Sequence, residues 1–178
     1  AFSQEERERI MILDGLTKSL GASNVRSAHL LADSKVIKFI NTRASHGVIP
    51  HYHGQAIAIA AFEMGFRQAA EPIIGPTNAS RKLVREFLTA QGYRFIMGDG
   101  GYYAFIDVTD WMEAANMVDS FSLGEYLAAE HGIAVVPGAA FSAEGNGWVR
   151  FSYALPPDVT RGALARFHAG LQALRDAG

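Results

Sequence analysis

The sequence predicts an α/β protein built in two parts. Short apolar runs that alternate with helical patterns predict the first part, because this alternation is typical of a parallel α/β sheet. A β-hairpin pattern and a further strand, flanked by helices, predict a small α+β layer for the second part. The pattern changes near Gly75-Pro76, so we expect the first part to cover residues 1–75 and the second to cover residues 76–178.

Composition and charge exclude several classes of function. The chain has 178 residues, a net charge of −2 and a pI near 6.3, without a basic stripe, so we expect neither nucleic acid nor a membrane surface as a partner. No apolar run approaches the roughly 20 residues of a membrane span. The chain has no cysteine, which excludes disulfides and thiolate metal sites and fits a reducing compartment such as the cytoplasm.

The elements of the first part follow from local patterns. Ser3 with Glu6 three residues later predicts a helix start, because the two side chains can cap each other's backbone N–H groups. In order, we expect a short helix at 3–8, buried strands at 10–13 and 25–32, a helix at 33–45, and a buried helix at 54–70. Pro72 and Gly75-Pro76 predict a break before the next helix.

The second part shows clearer turn and stop signals. Gly98–Gly101 predicts a hairpin turn, and Gly132 predicts the end of a helix. In order, we expect a helix at 80–91, a hairpin at 93–108, a helix at 120–132, strands at 133–138 and 145–155, and a helix at 158–178.

One lysine and one arginine lie in an unusual setting in the first part. Lys18 follows the first predicted strand, and Arg26 begins the second. The residues around the lysine are small or carry hydroxyls: Gly15, Thr17, Ser19, Gly21, Ala22 and Ser23. A solvated surface lysine is the alternative, but such a run lets the backbone approach a bound group. A lysine that reacts with an aldehyde and an arginine that grips a phosphate together suit pyridoxal 5′-phosphate (PLP).

The stretch G-L-T-K-S-L-G-A-S-N-V-R, residues 15–26, resembles the PLP-attachment segment of class I/II aminotransferases, the fold-type-I aspartate aminotransferase superfamily. The resemblance implies that Lys18 carries the cofactor and later moves the substrate's α-proton. It also implies that Arg26 holds the phosphate and that Thr17 contacts the cofactor. Lys18 is therefore the candidate catalytic residue, and Lys18, Arg26 and Thr17 are the candidate cofactor-binding residues.

The segment departs from the family pattern at two positions. Ser27 stands where the family usually has an apolar residue, and Gly15 stands where many members have a serine whose hydroxyl touches the phosphate. Part of the phosphate-binding cup is therefore expected to be absent or to come from elsewhere.

The second part resembles the same family. Residues 100–108 are similar to its small-domain hairpin, and residues 132–141 and 147–154 are similar to the segments around its substrate-binding arginine. The resemblance implies that Arg150 binds the α-carboxylate of the substrate. A salt bridge at a strand edge is the alternative role for this arginine.

The resemblance covers only the C-terminal part of the family's fold. It implies that residues 1–75 are the last portion of a PLP-transferase-type large domain, which has a mainly parallel sheet, and that residues 76–178 are a small α+β C-terminal domain. The family's partner for the pyridine nitrogen lies upstream of the lysine, so we expect this chain alone to be incomplete. We therefore predict the C-terminal part of an aminotransferase acting on an amino acid and a 2-oxo acid. A lyase, a decarboxylase or a non-catalytic effector-binding domain remains open.

Three histidines cluster in one predicted loop. His46, His51 and His53 invite a metal site, but no carboxylate lies near them in sequence, and we predict no metal. The resemblance implies a homodimer in which the loop from His46 to His53, with Tyr52, reaches the partner subunit's active site. Ordinary dimer packing is the alternative.

Overall fold

The computed structural model describes residues 2–43 and 52–177. The chain divides into two compact units, residues 1–74 and 75–178. None of the helices in the described ranges is long and apolar enough to cross a membrane.

The first unit consists of short helices around a two-stranded sheet. Its elements are α1 (Gln4–Arg9), β1 (Ile12–Gly15), α2 (Leu16–Ser19), β2 (Ala28–Leu31), α3 (Ser34–Arg43), α4 (Tyr52–Met64) and the start of α5 (Phe66–Ala90). The capping box that begins α1 is confirmed: the Glu6 N–H donates to the Ser3 hydroxyl oxygen, and the Ser3 N–H donates to the Glu6 carboxylate over 2.7 Å.

The expectation of buried, parallel strands in the first unit was wrong. β1 and β2 pair antiparallel, because the Leu16 N–H donates to the Ser27 carbonyl oxygen and the connection folds straight back. Leu13 is 76% exposed and Leu31 is 58% exposed, although Phe62 of α4 contacts His29 of β2 with the ring centroids 5.7 Å apart. An apolar run predicts a strand, but its burial depends on a packing partner.

The helix expected at 54–70 is divided and largely exposed. α4 ends at Met64, Gly65 adopts a left-handed φ of +95°, and α5 begins at Phe66. Only Gly54 and Ala61 of α4 are buried.

The break expected at Pro72 and Gly75-Pro76 does not occur, because α5 runs continuously from Phe66 to Ala90. Ser80, Val84 and Leu88 are spaced by four residues and are fully buried in the second unit. Packing of this face compensates for the hydrogen bonds that prolines remove from a helix.

The second unit contains a four-stranded antiparallel sheet. Its strands are β3 (Phe95–Ile96), β4 (Tyr103–Asp107), β5 (Val136–Pro137) and β6 (Trp148–Ser152), in the order β3-β4-β6-β5. Its further helices are α6 (Thr109–Ala114), α7 (Ser120–His131) and α8 (Pro157–Ala177), with 3₁₀ turns at Gly138–Ala140 and Ala143–Gly145. The predicted hairpin, α7 and its stop at Gly132 are thus confirmed.

Alternation along β4 and β6 separates the core from a second sheet face. Ala104 and Ile106 on β4, with Val149 and Phe151 on β6, are buried against the helices. The alternate residues therefore point away from this core: Tyr103 and Phe105 on β4, and Trp148 and Arg150 on β6.

A set of polar contacts holds the segment that leads into β6. The Asn146 side chain accepts from the Ser120 N–H over 2.8 Å and donates to the Val118 carbonyl oxygen over 3.2 Å. The Ser120 hydroxyl accepts from the Ala139 N–H over 3.1 Å. These contacts tie the start of α7 to residues 138–147.

Gly138 and Gly145 approach each other so closely that neither position has room for a side chain. A Cβ atom at Gly138 would lie 2.0 Å from the Gly145 carbonyl oxygen. We expect Gly138→Ala to lower the free energy of unfolding by about 1–3 kcal/mol, because the backbone must shift to admit the methyl group. Gly100→Ala is the control and should change it by less than about 0.5 kcal/mol, since no atom lies within 4 Å of a Cβ there. Urea unfolding of the full-length protein measures both, and equal effects would contradict the close approach.

Candidate active site

Lys18 lies in the single helical turn that follows β1. Leu16 begins this turn and is 1% exposed, which anchors the turn in the first unit. The Ser19 hydroxyl donates to the Gly15 carbonyl oxygen over 3.3 Å. The lysine was expected just beyond the end of the strand, and the structure places it there, on an exposed position of the turn.

Arg26 precedes β2 rather than beginning it, because β2 starts at Ala28. Its backbone adopts a left-handed φ of 52°, which is uncommon for a residue with a side chain. The guanidinium is exposed and donates to the Ser23 carbonyl oxygen at the long distance of 3.5 Å. Within the described ranges, no carboxylate forms an ion pair with it.

The two residues lie in one short connection at the same end of the hairpin. Gly15 pairs with Ala28 as the last pair of the β1–β2 register. The next contact closes the connection, since the Leu16 N–H donates to the Ser27 carbonyl oxygen over 3.2 Å. Lys18 and Arg26 therefore both lie within residues 16–27, where one supplies an amine and the other a guanidinium.

Close packing explains both departures from the family pattern. A Cβ atom at Gly15 would lie 3.3 Å from the Ser27 carbonyl oxygen, so glycine suits this tight crossing. A Cβ atom at Gly54 would lie 2.9 Å from the Ser27 Cβ, so the start of α4 packs on residue 27. A larger apolar side chain at position 27 would press against this helix, whereas serine fits.

This connection has the chemistry that PLP requires. An amine can bind the cofactor's aldehyde, and a guanidinium without a carboxylate partner can bind its phosphate. The small residues of the connection leave room for the cofactor near the backbone. The donor set in residues 16–27 therefore fits PLP.

Arg150 lies on the sheet face opposite the core of the second unit. Its guanidinium carbon is 4.3 Å from the centroid of the Tyr103 ring and 5.3 Å from that of Phe141. Its Nε atom is buried and has no hydrogen-bond partner in the part of the chain that the structure describes. No described carboxylate pairs with Arg150, so the alternative of a strand-edge salt bridge gains no support.

A cleft of about 310 Å³ opens beside Arg150. Its lining residues come from three strands and the turn after β5: Ile96, Tyr103, Phe105, Phe141 and Arg150. Phe105 stacks on Trp148 with the ring centroids 5.2 Å apart, which supports the floor of the cleft. The site thus combines one cation with aromatic and aliphatic walls.

Comparisons with known proteins now identify the family. The family model described as "Aminotransferase class I and II" matches residues 1–167 of the chain. The chain belongs to the class I and II aminotransferases. This family depends on PLP, so the predicted family and cofactor are confirmed.

Individual relatives agree with this assignment. The chain is 28% identical over 177 residues to an aspartate aminotransferase from Geobacillus stearothermophilus, covering 97% of this chain and 44% of the relative. An aminotransferase from Mycobacterium tuberculosis has a similar fold, with a TM-score of 0.82, 23% identity and coverage of 97% of this chain and 44% of that one. A PLP-bound C–S lyase from Staphylococcus hominis also shares the fold, with a TM-score of 0.80, 15% identity and coverage of 95% and 43%.

The chain therefore spans less than half the length of these relatives and aligns with their C-terminal part. The predicted fold class, the last part of a PLP-transferase-type large domain followed by a small α+β domain, is confirmed. The mainly parallel sheet of the large domain is not represented among the strands described here, since β1 and β2 are antiparallel.

The histidine loop is only partly within the described residues. His46 and His51 lie outside them, and their expected role in a partner's site stays a prediction. His53 lies in the first turn of α4, where its ring centroid is 6.1 Å from that of Tyr52. In residues 2–43 and 52–177, no group of at least three metal-ligating side chains could hold a metal ion.

Neither aromatic contact of Arg150 was among the predicted cofactor- or substrate-binding residues. Strand alternation predicts that at most one of Tyr102 and Tyr103 faces a site, and the tyrosine that contacts Arg150 is Tyr103. No local sequence pattern indicates that Phe141 contacts Arg150. Phe141 lies outside the strands, directly after a 3₁₀ turn, and the contact depends on how residues 138–146 fold.

Arg150 should matter little for folding. We expect Arg150→Met to lower the free energy of unfolding by less than about 1 kcal/mol, because it removes cation–π contacts but no ion pair with a described carboxylate. Arg94→Met is the comparison, since Arg94 pairs with Asp107, which is 5% exposed. Arg94→Met should lower the free energy of unfolding by about 1–3 kcal/mol, because it leaves a buried carboxylate without its cation. Urea unfolding measures both variants, and a larger loss at Arg150 would mean that it serves the fold.

Proposed function

We propose that the protein carrying this chain is a PLP-dependent aminotransferase that exchanges an amino group between an amino acid and a 2-oxo acid. The chain forms its C-terminal part. The observation that carries the proposal is the placement of Lys18 and Arg26 in one closed connection, with no described carboxylate paired to Arg26. Membership of the aminotransferase family supports it.

PLP, when bound, supplies an aldehyde and an aromatic ring that accepts the electron pair left by the α-proton. The Lys18 amine holds the aldehyde end, and the Arg26 guanidinium holds the phosphate end, with Thr17 beside Lys18 as a further contact. The Lys18 amine, when not bonded to the aldehyde, would be the base that accepts the proton from the substrate's α-carbon.

Arg150 binds the α-carboxylate of the substrate. A guanidinium can donate two parallel N–H bonds to a carboxylate, which fixes the orientation of the α-carbon as well as its position. The rings of Tyr103 and Phe141 pack on the guanidinium and limit its rotation. An anion would also supply an acceptor near the Nε atom of Arg150, which is buried and has no partner among the described atoms.

The proposal assigns a role to each part of the chain. Residues 1–75 belong to the PLP-binding large domain, and residues 76–178 form the small domain that closes on the substrate. The protein acts as a homodimer in the cytoplasm, and the loop from His46 to His53 contributes to the partner's site.

A different PLP-dependent reaction is the second candidate. The fold of this chain also occurs in a C–S lyase, so the same scaffold accommodates bond cleavage beyond transamination. A non-catalytic effector-binding domain is the third, and the same experiment distinguishes all three.

Lys18 should be indispensable for turnover. The full-length protein is mixed with PLP and a set of amino acids, and cofactor absorbance and 2-oxo acid are both measured. With an amino acid alone, we expect the cofactor absorbance to shift and the donor's 2-oxo acid to form in an amount equal to the enzyme. Once a second 2-oxo acid is added as the amino-group acceptor, the donor's 2-oxo acid should form continuously. Lys18→Ala should lower the rate by at least about a thousandfold, because the proton-transfer group is lost. Lys38→Ala, an exposed lysine on α3, is the control and should keep full activity.

Release of ammonia or a thiol in place of amino transfer would support the lyase. An absorbance shift without any product would support the effector-binding domain. Full activity in Lys18→Ala would contradict the role of this lysine.

Arg150 should act on substrate binding. We expect Arg150→Lys to raise the KM for the amino donor by about ten- to a hundredfold, because lysine cannot form the bidentate pair. Arg85→Lys, on the exposed side of α5, is the matched control and should leave KM unchanged. Steady-state kinetics measure both, and an unchanged KM in Arg150→Lys would remove Arg150 from the substrate site.

A further inference from the structure

Arg81 of α5 binds the turn between β3 and β4, residues 98–101, through two hydrogen bonds. Its Nη1 atom donates to the Asp99 carbonyl oxygen, and its Nη2 atom donates to the Gly101 carbonyl oxygen over 2.8 Å. The two acceptors lie two residues apart in the turn. A planar guanidinium presents its donors in a fixed fork, so one side chain can bridge both carbonyls at once.

The helix gives Arg81 a fixed base. Ser80, the preceding residue, is fully buried, and its hydroxyl donates to the Leu155 carbonyl oxygen over 2.7 Å. Val84, one turn further along α5, is also fully buried. The Nε atom of Arg81 is itself buried, so the side chain follows a confined path from the helix to the turn.

The turn is a segment that such a contact can order. Three of its four residues are glycines, and Gly101 adopts a left-handed φ of +73°. Glycine loses more backbone freedom on ordering than any other residue, so a turn of this composition depends on contacts from outside. The Tyr153 hydroxyl also donates to the Gly101 carbonyl oxygen, but at the longer distance of 3.4 Å. Arg81 therefore supplies the shorter of the two contacts to this carbonyl.

The turn leads directly to a ring that contacts Arg150. Tyr103 begins β4 only two residues after Gly101. The guanidinium carbon of Arg150 lies 4.3 Å from the centroid of the Tyr103 ring. The Tyr102 ring, between the turn and the strand, packs on Tyr103 with the centroids 4.5 Å apart. A shift of the turn would therefore move the ring on which Arg150 rests.

We infer that Arg81 is a positioning residue for Arg150, acting through the turn and Tyr103. This inference rests on the proposed function, in which Arg150 binds the substrate's α-carboxylate. Bidentate binding of a carboxylate requires a correctly oriented guanidinium, so a displaced Tyr103 ring would weaken it. Phe141 contacts the same guanidinium, so loss of Arg81 should weaken carboxylate binding without abolishing it.

Hydrogen exchange tests whether Arg81 orders the turn. Mass spectrometry compares the full-length protein with Arg81→Met, and we expect the amides of residues 98–103 to exchange at least about tenfold faster in the variant. The amides of residues 164–171 of α8, which pack in the core, should be unchanged. Arg85→Met, an exposed arginine of the same helix, is the matched control and should change neither region. Unchanged exchange of the turn in Arg81→Met would overturn the inference.

A double-mutant cycle tests whether Arg81 acts through Arg150. Calorimetry on the PLP-loaded full-length protein measures two unreactive carboxylates, succinate and 4-methylpentanoate, so the result does not depend on the preferred amino donor. Arg81→Met should weaken both by about fivefold or more. Added to Arg150→Lys, it should weaken them by less than about twofold, because the guanidinium that it positions is already gone. Arg85→Met should leave both affinities unchanged in either background.

Arg81→Lys separates positioning from simple attraction of an anion. Lysine keeps the positive charge but cannot bridge two carbonyls as a planar fork does. We expect Arg81→Lys to weaken both carboxylates by about threefold or more. Full affinity in this variant would overturn the inference, and so would equal weakening by Arg81→Met with and without the Arg150 guanidinium.

These outcomes are distinct from failure of the proposed function. Coupled weakening of carboxylate binding without amino transfer to any acceptor would keep the role of Arg81 and reject the aminotransferase. Amino transfer with the same KM for the amino donor in Arg81→Met as in the unsubstituted protein would keep the aminotransferase and reject the role of Arg81.

Discussion

The hydrogen bond from the Leu16 N–H to the Ser27 carbonyl oxygen is the contact on which the proposed cofactor site depends. It closes the connection between β1 and β2, so that Lys18 and Arg26 leave the same end of the hairpin. The buried side chain of Leu16 holds one side of this connection, and the close approach of Gly54 to Ser27 holds the other. Without this closure, the distance between the Lys18 amine and the Arg26 guanidinium, which are eight positions apart in sequence, would not be fixed. The two groups could then not hold opposite ends of one small molecule.

The two units are packed very differently. The second unit encloses a continuous core between its sheet and helices, with Phe151, Phe167 and Tyr153 among the fully or almost fully buried side chains. The first unit instead exposes apolar side chains of β1, β2 and α4. Under the proposed function, the rest of the large domain covers this surface, because the chain spans only 44% of the relatives that it matches. The second unit can therefore orient Arg150 through its own core, whereas the lysine connection relies more on local contacts.

Local signals predicted local structure well. The capping box at Ser3 and the glycine stop at Gly132 appear as expected, because each depends on a few neighbouring backbone groups. Burial was predicted poorly, since an apolar strand is buried only where another element packs on it. The break predicted at Pro72 and Gly75-Pro76 did not occur, because the later part of α5 is stabilised by burial of Ser80, Val84 and Leu88. In the candidate site, Lys18 and Arg26 were predicted from a sequence motif whose residue types suit PLP. The contact between Phe141 and Arg150 could not be predicted, because it depends on the tertiary structure and not on a local pattern.

The central claim is that Lys18 and Arg26 hold opposite ends of PLP, and a comparison of two aldehydes tests it most directly. The affinities of pyridoxal and pyridoxal 5′-phosphate are measured by absorbance titration for the full-length protein and for Arg26→Gln. The account predicts that the unsubstituted protein prefers the phosphorylated form, and that Arg26→Gln weakens this form by about tenfold or more while leaving pyridoxal unchanged. Equal weakening of both aldehydes, or no effect on either, would show that Arg26 does not hold the phosphate and would contradict the account.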